Sequence, residues 1–196
     1  MPRRPRVETR NGYFHIVSRG SNRQHIVFDD RDRNAFVHLL GVAIVRHRWL
    51  VYSWCLMPNH YHLVLRIPEG GLSRGMQLLN GGFSRQTSQR YGGDAHLFRN
   101  RFKADEIEEE LHFFKACAYV ERNPVRARIC ATPAVYRWSS HRAHTGVEHS
   151  LVPLASAELL RYFGADPTEA RDAYGRFVLT GHDPVSDTVT DLSRPW

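Results

Sequence analysis

The chain has 196 residues, of which 42% are hydrophobic and 11% aromatic. That suffices for a real core and suits one generous domain, or a core domain of about 150 residues with an appendage. Lys+Arg 27 against Asp+Glu 20 gives a net charge of +7, and Lys103 and Lys115 are the only lysines, so the basic surface is an arginine surface. The longest apolar runs fall short of a membrane span. Tyr13 to Val17 is too short for the apolar stretch of a signal peptide. Cys55, Cys117 and Cys130 are odd in number and widely spaced, which fits reduced thiols rather than a disulfide frame. The expectation is a soluble cytoplasmic protein with no membrane partner.

The charge is unevenly spread. Residues 1–28 carry six arginines against Glu8, and residues 122–142 carry five arginines and no acid. From Glu148 onward eight acids face four arginines. Arginine suits bidentate phosphate contacts and stacking on bases, so a basic body with an acidic end points to a polyanion partner, nucleic acid first. Ordinary solubilising charge is the competing explanation.

In chain order, residues 1–12 read as a loose basic arm rich in Arg and Pro. Tyr13 to Ser18 reads as a strand, ended by the turn cluster Arg19-Gly20-Ser21-Asn22. Asp29-Asp30 offers an N-cap to a helix reaching about His47, with Phe36, Leu39, Leu40, Ala43 and Ile44 at helical spacing. Trp49 to Leu56 and His60 to Ile67 form a hairpin around Met57-Pro58-Asn59. Leu72 to about Tyr91 is a second helix despite Gly81-Gly82, and Gly92-Gly93-Asp94 ends it. His96 to Ala104 is a fourth strand. This β-α-β-β-α-β order predicts an α+β, ferredoxin-like fold: a split β-α-β antiparallel sheet with two helices on one face. A third helix follows from about Glu106 to Asn123, with an acidic first turn that suits the helix dipole. Its apolar stripe is Leu111, Phe114, Cys117 and Val120, and Pro124 sets its stop. Two short helices, about 155–163 and 167–180, and a polar tail complete the chain. The expected division is a catalytic domain over 1–145 and a C-terminal helical extension over 146–196.

Two clusters carry chemistry. On a strand, His60 and His62 share one face with Cα atoms roughly 7 Å apart, close enough to converge on a cation, while Tyr61 takes the other face. Two polar residues on a wet sheet face would look the same. On the third helix, Tyr119 and Asn123 stand at i and i+4 and meet on one face. Asn123 can offer a carbonyl oxygen to a metal, or act as a helix cap before Pro124. Tyr119 is either a core-edge tyrosine or, once deprotonated, a nucleophile toward phosphorus. A cation held by His60, His62 and Asn123 could stabilise charge on a scissile phosphate. Arg19, Arg74, Arg85, Arg99, Arg101, Lys103, Arg126 and Arg137 are candidate DNA contacts. Tyr136 and Trp138 could stack on bases, or close the core, which is favoured for Trp138. Glu121 and Arg122 are explained by an ion pair or solvation. His25, His96, His112, His141 and His144 lack the paired strand geometry.

His60-Tyr61-His62 with Tyr119-Val120-Glu121-Arg122-Asn123-Pro124-Val125-Arg126-Ala127 resembles the HUH single-tyrosine transposases, and among them the REP-associated tyrosine transposases. Ser18-Arg19-Gly20-Ser21-Asn22, Met57-Pro58-Asn59-His60, Gly93 to Lys103 and Trp138-Ser139-Ser140 extend the similarity over about residues 10–145. One departure is Arg128, where the family often has glycine. The resemblance implies metal-dependent (Mg²⁺ or Mn²⁺) cleavage and joining of single-stranded DNA at repetitive extragenic palindromes folded as hairpins. It implies Tyr119 as the nucleophile of a 5′-phosphotyrosine intermediate, and His60, His62 and Asn123 as metal ligands. It favours a monomer over a dimer with swapped active sites. A relative that binds hairpins without cutting them is the alternative. A hydrolase of small phosphoesters ranks below both, for want of carboxylate ligands. The geometric expectation is that the three ligands converge with the Tyr119 hydroxyl, on the sheet face turned away from the two core helices.

Overall fold

The computed structural model describes residues 11–92, 97–99 and 101–180. Four strands form one antiparallel sheet in the order β2-β3-β1-β4: β1 is Gly12–Arg19, β2 Leu50–Met57, β3 His60–Ile67 and β4 Lys103–Ile107. This is the ferredoxin-like arrangement the element order predicts. The β2–β3 hairpin and β3 follow the sequence pattern closely, because alternation along β3 splits cleanly between two buried faces. Helices α1 (Asp30–His47) and α2 (Leu72–Tyr91) pack together on one face. Asp29 caps α1, its side chain accepting from the Asp32 N–H at 3.1 Å. Tyr61 points toward these helices: its ring packs on Phe36, and its hydroxyl donates to Asn80 Oδ1 at 2.6 Å. Gly82 lets them approach, since a Cβ there would meet Leu39 Cδ2 at 3.2 Å.

The opposite face is covered by α3 (Glu110–Arg126), which packs on β2 and β3. The sequence reading placed this helix too early. Glu106 and its neighbours pair with β1 instead, Phe14 opposite Glu106 and His15 opposite Asp105, so the fourth strand is β4 and not 96–104. Earlier in that stretch, Phe98 makes a single bridge to Gly20, while His96 and Asn100 lie outside the described residues. Nor does α3 stop at Pro124. It runs one turn further, because a proline there removes only the bond its missing N–H would make, while the following residues keep theirs: Ala127 N–H donates to Asn123 O and Ile129 N–H to Pro124 O. The buried stripe holds Phe113, Phe114, Cys117 and Val120, whereas Leu111 is 43% exposed.

After α3 the chain returns along the outer edge of β2. Leu56 N–H donates to Trp138 O at 2.9 Å and Ser140 N–H to Trp54 O at 3.0 Å. Tyr136 and Trp138 are buried, and the Tyr136 hydroxyl donates to Leu56 O at 2.7 Å, so both rings close the core and neither is presented to a base. Helices α4 (His141–His144), α5 (Ser156–Leu160) and α6 (Pro167–Thr180) follow, α4 being absent from the sequence reading and α5 shorter than expected. The buried Leu159, Tyr174, Phe177 and Val178 join the same hydrophobic core. Among the described residues no helix is long and apolar enough to cross a membrane.

Candidate active site

The strand pair β1–β3 and the helix α3 build the site. His60 and His62 point to the α3 face, as the alternation of β3 requires, and their ring centroids lie 5.0 Å apart. Tyr119 packs edge-on against His62 from α3, 5.7 Å between the rings, and is 38% exposed. Asn123, one helical turn further, is buried and its side chain hydrogen-bonds His60. Asn123 is therefore an interior helical residue and not a cap; the C-cap is Ala127. The four residues expected to meet are brought to one place, on the face away from α1 and α2.

Both histidines are held neutral. Burial lowers the pKa of His60 to about 4, with the nearby Arg19 charge adding to the effect and the Asn123 hydrogen bond opposing it. Burial lowers His62 further still, helped by His60, His15 and Arg19. A neutral imidazole keeps the lone pair that a metal needs. His62 Nε2 is buried and has no hydrogen-bond partner. An orphaned buried nitrogen beside a second neutral imidazole and an amide oxygen fits a divalent cation, with affinity order favouring Mn²⁺ over Mg²⁺. Among the described residues no group of three or more His, Cys, Asp or Glu side chains is arranged to hold an ion. A cation here would depend on His60, His62 and the Asn123 amide.

The candidate DNA contacts divide by location. Arg19 ends β1 opposite His60, and its carbonyl accepts from the Arg99 N–H at 3.0 Å. The turn after Arg19 is fixed by Gly20, where a Cβ would sit 2.3 Å from the Gln24 carbonyl oxygen. Arg126 lies over the Tyr119 ring, its Cζ 5.1 Å from the centroid. Lys103 is on β4, paired with Asp105 at 2.6 Å, and its charge is felt at His15. Arg101 is exposed just before β4. Arg74 and Arg85 are on α2, which packs on the other face of the sheet, and Arg137 lies over Trp138 beyond the β2 edge. The structure thus gathers Arg19 and Arg126 at the histidines and leaves Arg74, Arg85 and Arg137 away from them.

Two residues given no role from the sequence, His15 and Asn59, belong to this region, and Glu121, expected to be ion-paired or solvated, is ion-paired beneath it. His15 on β1 lies against His62, Nε2 to Nδ1 at 2.9 Å, with the rings stacked at 5.1 Å. Asn59 Oδ1 lies 2.6 Å from His60 Nδ1. Pairing the first strand beside the third would have put His15 next to His62. Glu121 is fully buried on the far side of α3, at heptad-like spacing from Phe114 and Cys117, the one available signal that it is not solvated. It accepts from Ser140 Oγ at 2.6 Å and pairs with His141 at 3.0 Å and His144 at 2.6 Å. Burial alone would raise its pKa, but the two histidines overcome that and hold it well below the usual carboxylate range.

A family model described as "Transposase IS200 like" matches residues 8–123. The fold is similar to that of a REP-associated tyrosine transposase solved bound to a REP hairpin, with a TM-score of 0.64 at 14% identity over 80% of this chain and 96% of that one. A candidate transposase from Deinococcus radiodurans R1 matches with a TM-score of 0.42 at 14% identity, over 65% of this chain and 92% of that one. No protein of curated function matches the chain in sequence.

Proposed function

The chain belongs to the IS200-like transposase family, and from that premise we propose that it cuts and rejoins single-stranded DNA at palindromic, REP-type hairpins through Tyr119. The observation that carries this reading is the meeting of Tyr119 with two neutral histidines and Asn123 on one sheet face, flanked by Arg19 and Arg126. We read the protein as a monomer, with its site made within one chain.

Tyr119 is exposed enough to reach a phosphate, and the Arg126 guanidinium over its ring places positive charge beside the phosphate it would attack. In the proposed step Tyr119 Oη forms a bond to phosphorus and the bond from phosphorus to the 3′ oxygen breaks. The phenolic proton is released, and the departing 3′ oxygen takes up a proton to become a free 3′-OH. The 5′ phosphate stays on Tyr119, and attack by a 3′-OH reverses the step and joins strands. A divalent cation, Mg²⁺ or Mn²⁺, bound by His60, His62 and Asn123 would withdraw charge from a phosphate oxygen. Arg19 and Arg126 supply positive charge where the strand must pass.

The test is incubation of a REP-type hairpin bearing a single-stranded flank with the protein and Mn²⁺, read on a denaturing gel. A covalent protein–DNA adduct is expected, and Tyr119→Phe should lose it by at least about 10³-fold while still binding the hairpin. An adduct that survives in Tyr119→Phe would remove Tyr119 from the nucleophile's role. Hairpin binding by the wild type with no adduct under either metal would replace cleavage with recognition alone.

A further inference from the structure

Each of the two site histidines has its Nδ1 engaged by a different neighbour. For His60 the neighbour is Asn59 Oδ1, at 2.6 Å. The Asn59 amide is oriented by its own bond, Nδ2 donating to the Arg23 carbonyl at 3.1 Å, so the atom facing His60 is the oxygen, which only accepts. With Asn59 Oδ1 only 2.6 Å away, the His60 proton belongs on Nδ1; the Asn123 amide that also bonds this ring then has no N–H to accept, and its oxygen faces the site beside the Nε2 lone pair. For His62 the neighbour is His15 Nε2, at 2.9 Å, within a stacked pair whose rings are inclined by 21°. Two neutral imidazoles sharing one hydrogen bond leave two arrangements. If His15 donated, His62 would carry its proton on Nε2, a buried donor with no acceptor, since that nitrogen has no partner. If His62 donates, its Nε2 holds a lone pair aimed into the site.

We propose that His15 and Asn59 are positioning residues that hold His62 and His60 in the Nδ1–H tautomer, so that both Nε2 atoms are presented to a shared cation. The assignment rests on the metal-dependent reading of the site and adds what prepares it. A metal-bound histidine donates its remaining N–H to a fixed acceptor, and loss of that acceptor costs 10–100-fold in metal affinity. Here the acceptors are unlike: an amide from the adjacent residue in the β2–β3 turn, and an imidazole from the neighbouring strand. The tight Met57-Pro58-Asn59 turn and the β1–β3 register thus both act on the ligands. Neither residue touches the phosphate in the proposed step.

Two measurements test the assignment. Imidazole ¹⁵N NMR on the metal-free protein should show His60 and His62 protonated at Nδ1. Titration with Mn²⁺, followed by the electron paramagnetic resonance of the free ion, should show affinity weakened 10–100-fold in His15→Leu and in Asn59→Ala. His15→Gln and Asn59→Asp, which keep an acceptor, should bind within a few-fold of the wild type. Protonation of His62 at Nε2 in the wild type would overturn the assignment whether or not any variant folds. Unchanged Mn²⁺ affinity in both His15→Leu and Asn59→Ala would overturn it while leaving the metal site standing. Nδ1–H rings in a wild-type protein that binds no Mn²⁺ would overturn the metal-dependent reading and the positioning role with it.

Discussion

Helix α3 separates two pairs of histidines that could hardly be less alike. On one side His60 and His62 stand at the sheet surface with no carboxylate against them, and burial keeps both neutral. On the other, His141 and His144 close around Glu121, which also accepts from Ser140 and is held ionised by its partners. The helix carries a working residue toward each pair: Tyr119 and Asn123 toward the first, Glu121 toward the second, two positions from Tyr119. The difference teaches how to tell a ligand pair from a structural pair. Each pair contains a buried Nε2 without a partner, on His62 and on His144, so an orphaned nitrogen alone does not mark a ligand. What separates them is company: Glu121 holds the Nδ1 atoms of His141 and His144 in ion pairs, whereas His62 lies beside a second neutral imidazole, Tyr119 and the Asn123 helix turn.

The largest effect should come from removing the carboxylate. Glu121→Ala leaves two histidines and Ser140 buried without their acceptor and should cost about 3–5 kcal/mol in urea unfolding. His62→Ala, at the other pair, should cost less than half as much stability yet abolish Mn²⁺ binding. Equal stability losses would mean that both pairs are structural.

Acid should separate the pairs next. The folded pKa of His60 is lowered from 6.5 to about 4, so the folded state resists a proton that the unfolded chain accepts. Stability is therefore full above about pH 6.5 and falls as pH drops toward 4, by about 2 kcal/mol at pH 5 from His60 alone. Glu121, with its pKa lowered from 4.5, keeps its contribution until pH falls below that value. Urea titrations from pH 7.5 to 4 should show this first loss in the wild type and a flatter profile in His60→Asn.

The smallest effect concerns the end of α3. Arg128 has φ of 58°, in the left-handed region where a side chain is strained. Glycine would avoid this strain, and Arg128→Gly should raise stability by about 0.5 kcal/mol after the glycine's larger loss of chain entropy.

Much of this was readable from the residues because local signals agreed with the fold. Asp29 before an apolar helical pattern, the Pro58-Asn59 turn and the alternation of β3 each point one way, and they place His60, His62, Tyr119 and Asn123 on one face; the roles expected of those four came from the resemblance. The errors came where a local signal had two physical meanings. Glu106 to Glu109 suit a helix N-terminus, but the sheet needed a fourth strand and took Glu106 into it. Pro124 signals a stop, yet a last-turn proline costs one bond and leaves those of Ala127 and Ile129 in place. His15 and Asn59 could not be assigned roles, and the partners of Glu121 could not be named, because those depend on pairing and burial that only the folded chain defines.

The return of residues 136–140 along β2 has a consequence for how copies of the protein meet. Edge strands invite pairing with another chain through their open backbone groups. The backbone bonds from Leu56 to Trp138 and from Ser140 to Trp54 occupy that edge with the protein's own chain. The opposite edge is β4, five residues long and carrying Lys103, Asp105 and Glu106. One margin is sealed from within and the other is short and charged, a design that discourages the sheet from growing between molecules at high local concentration.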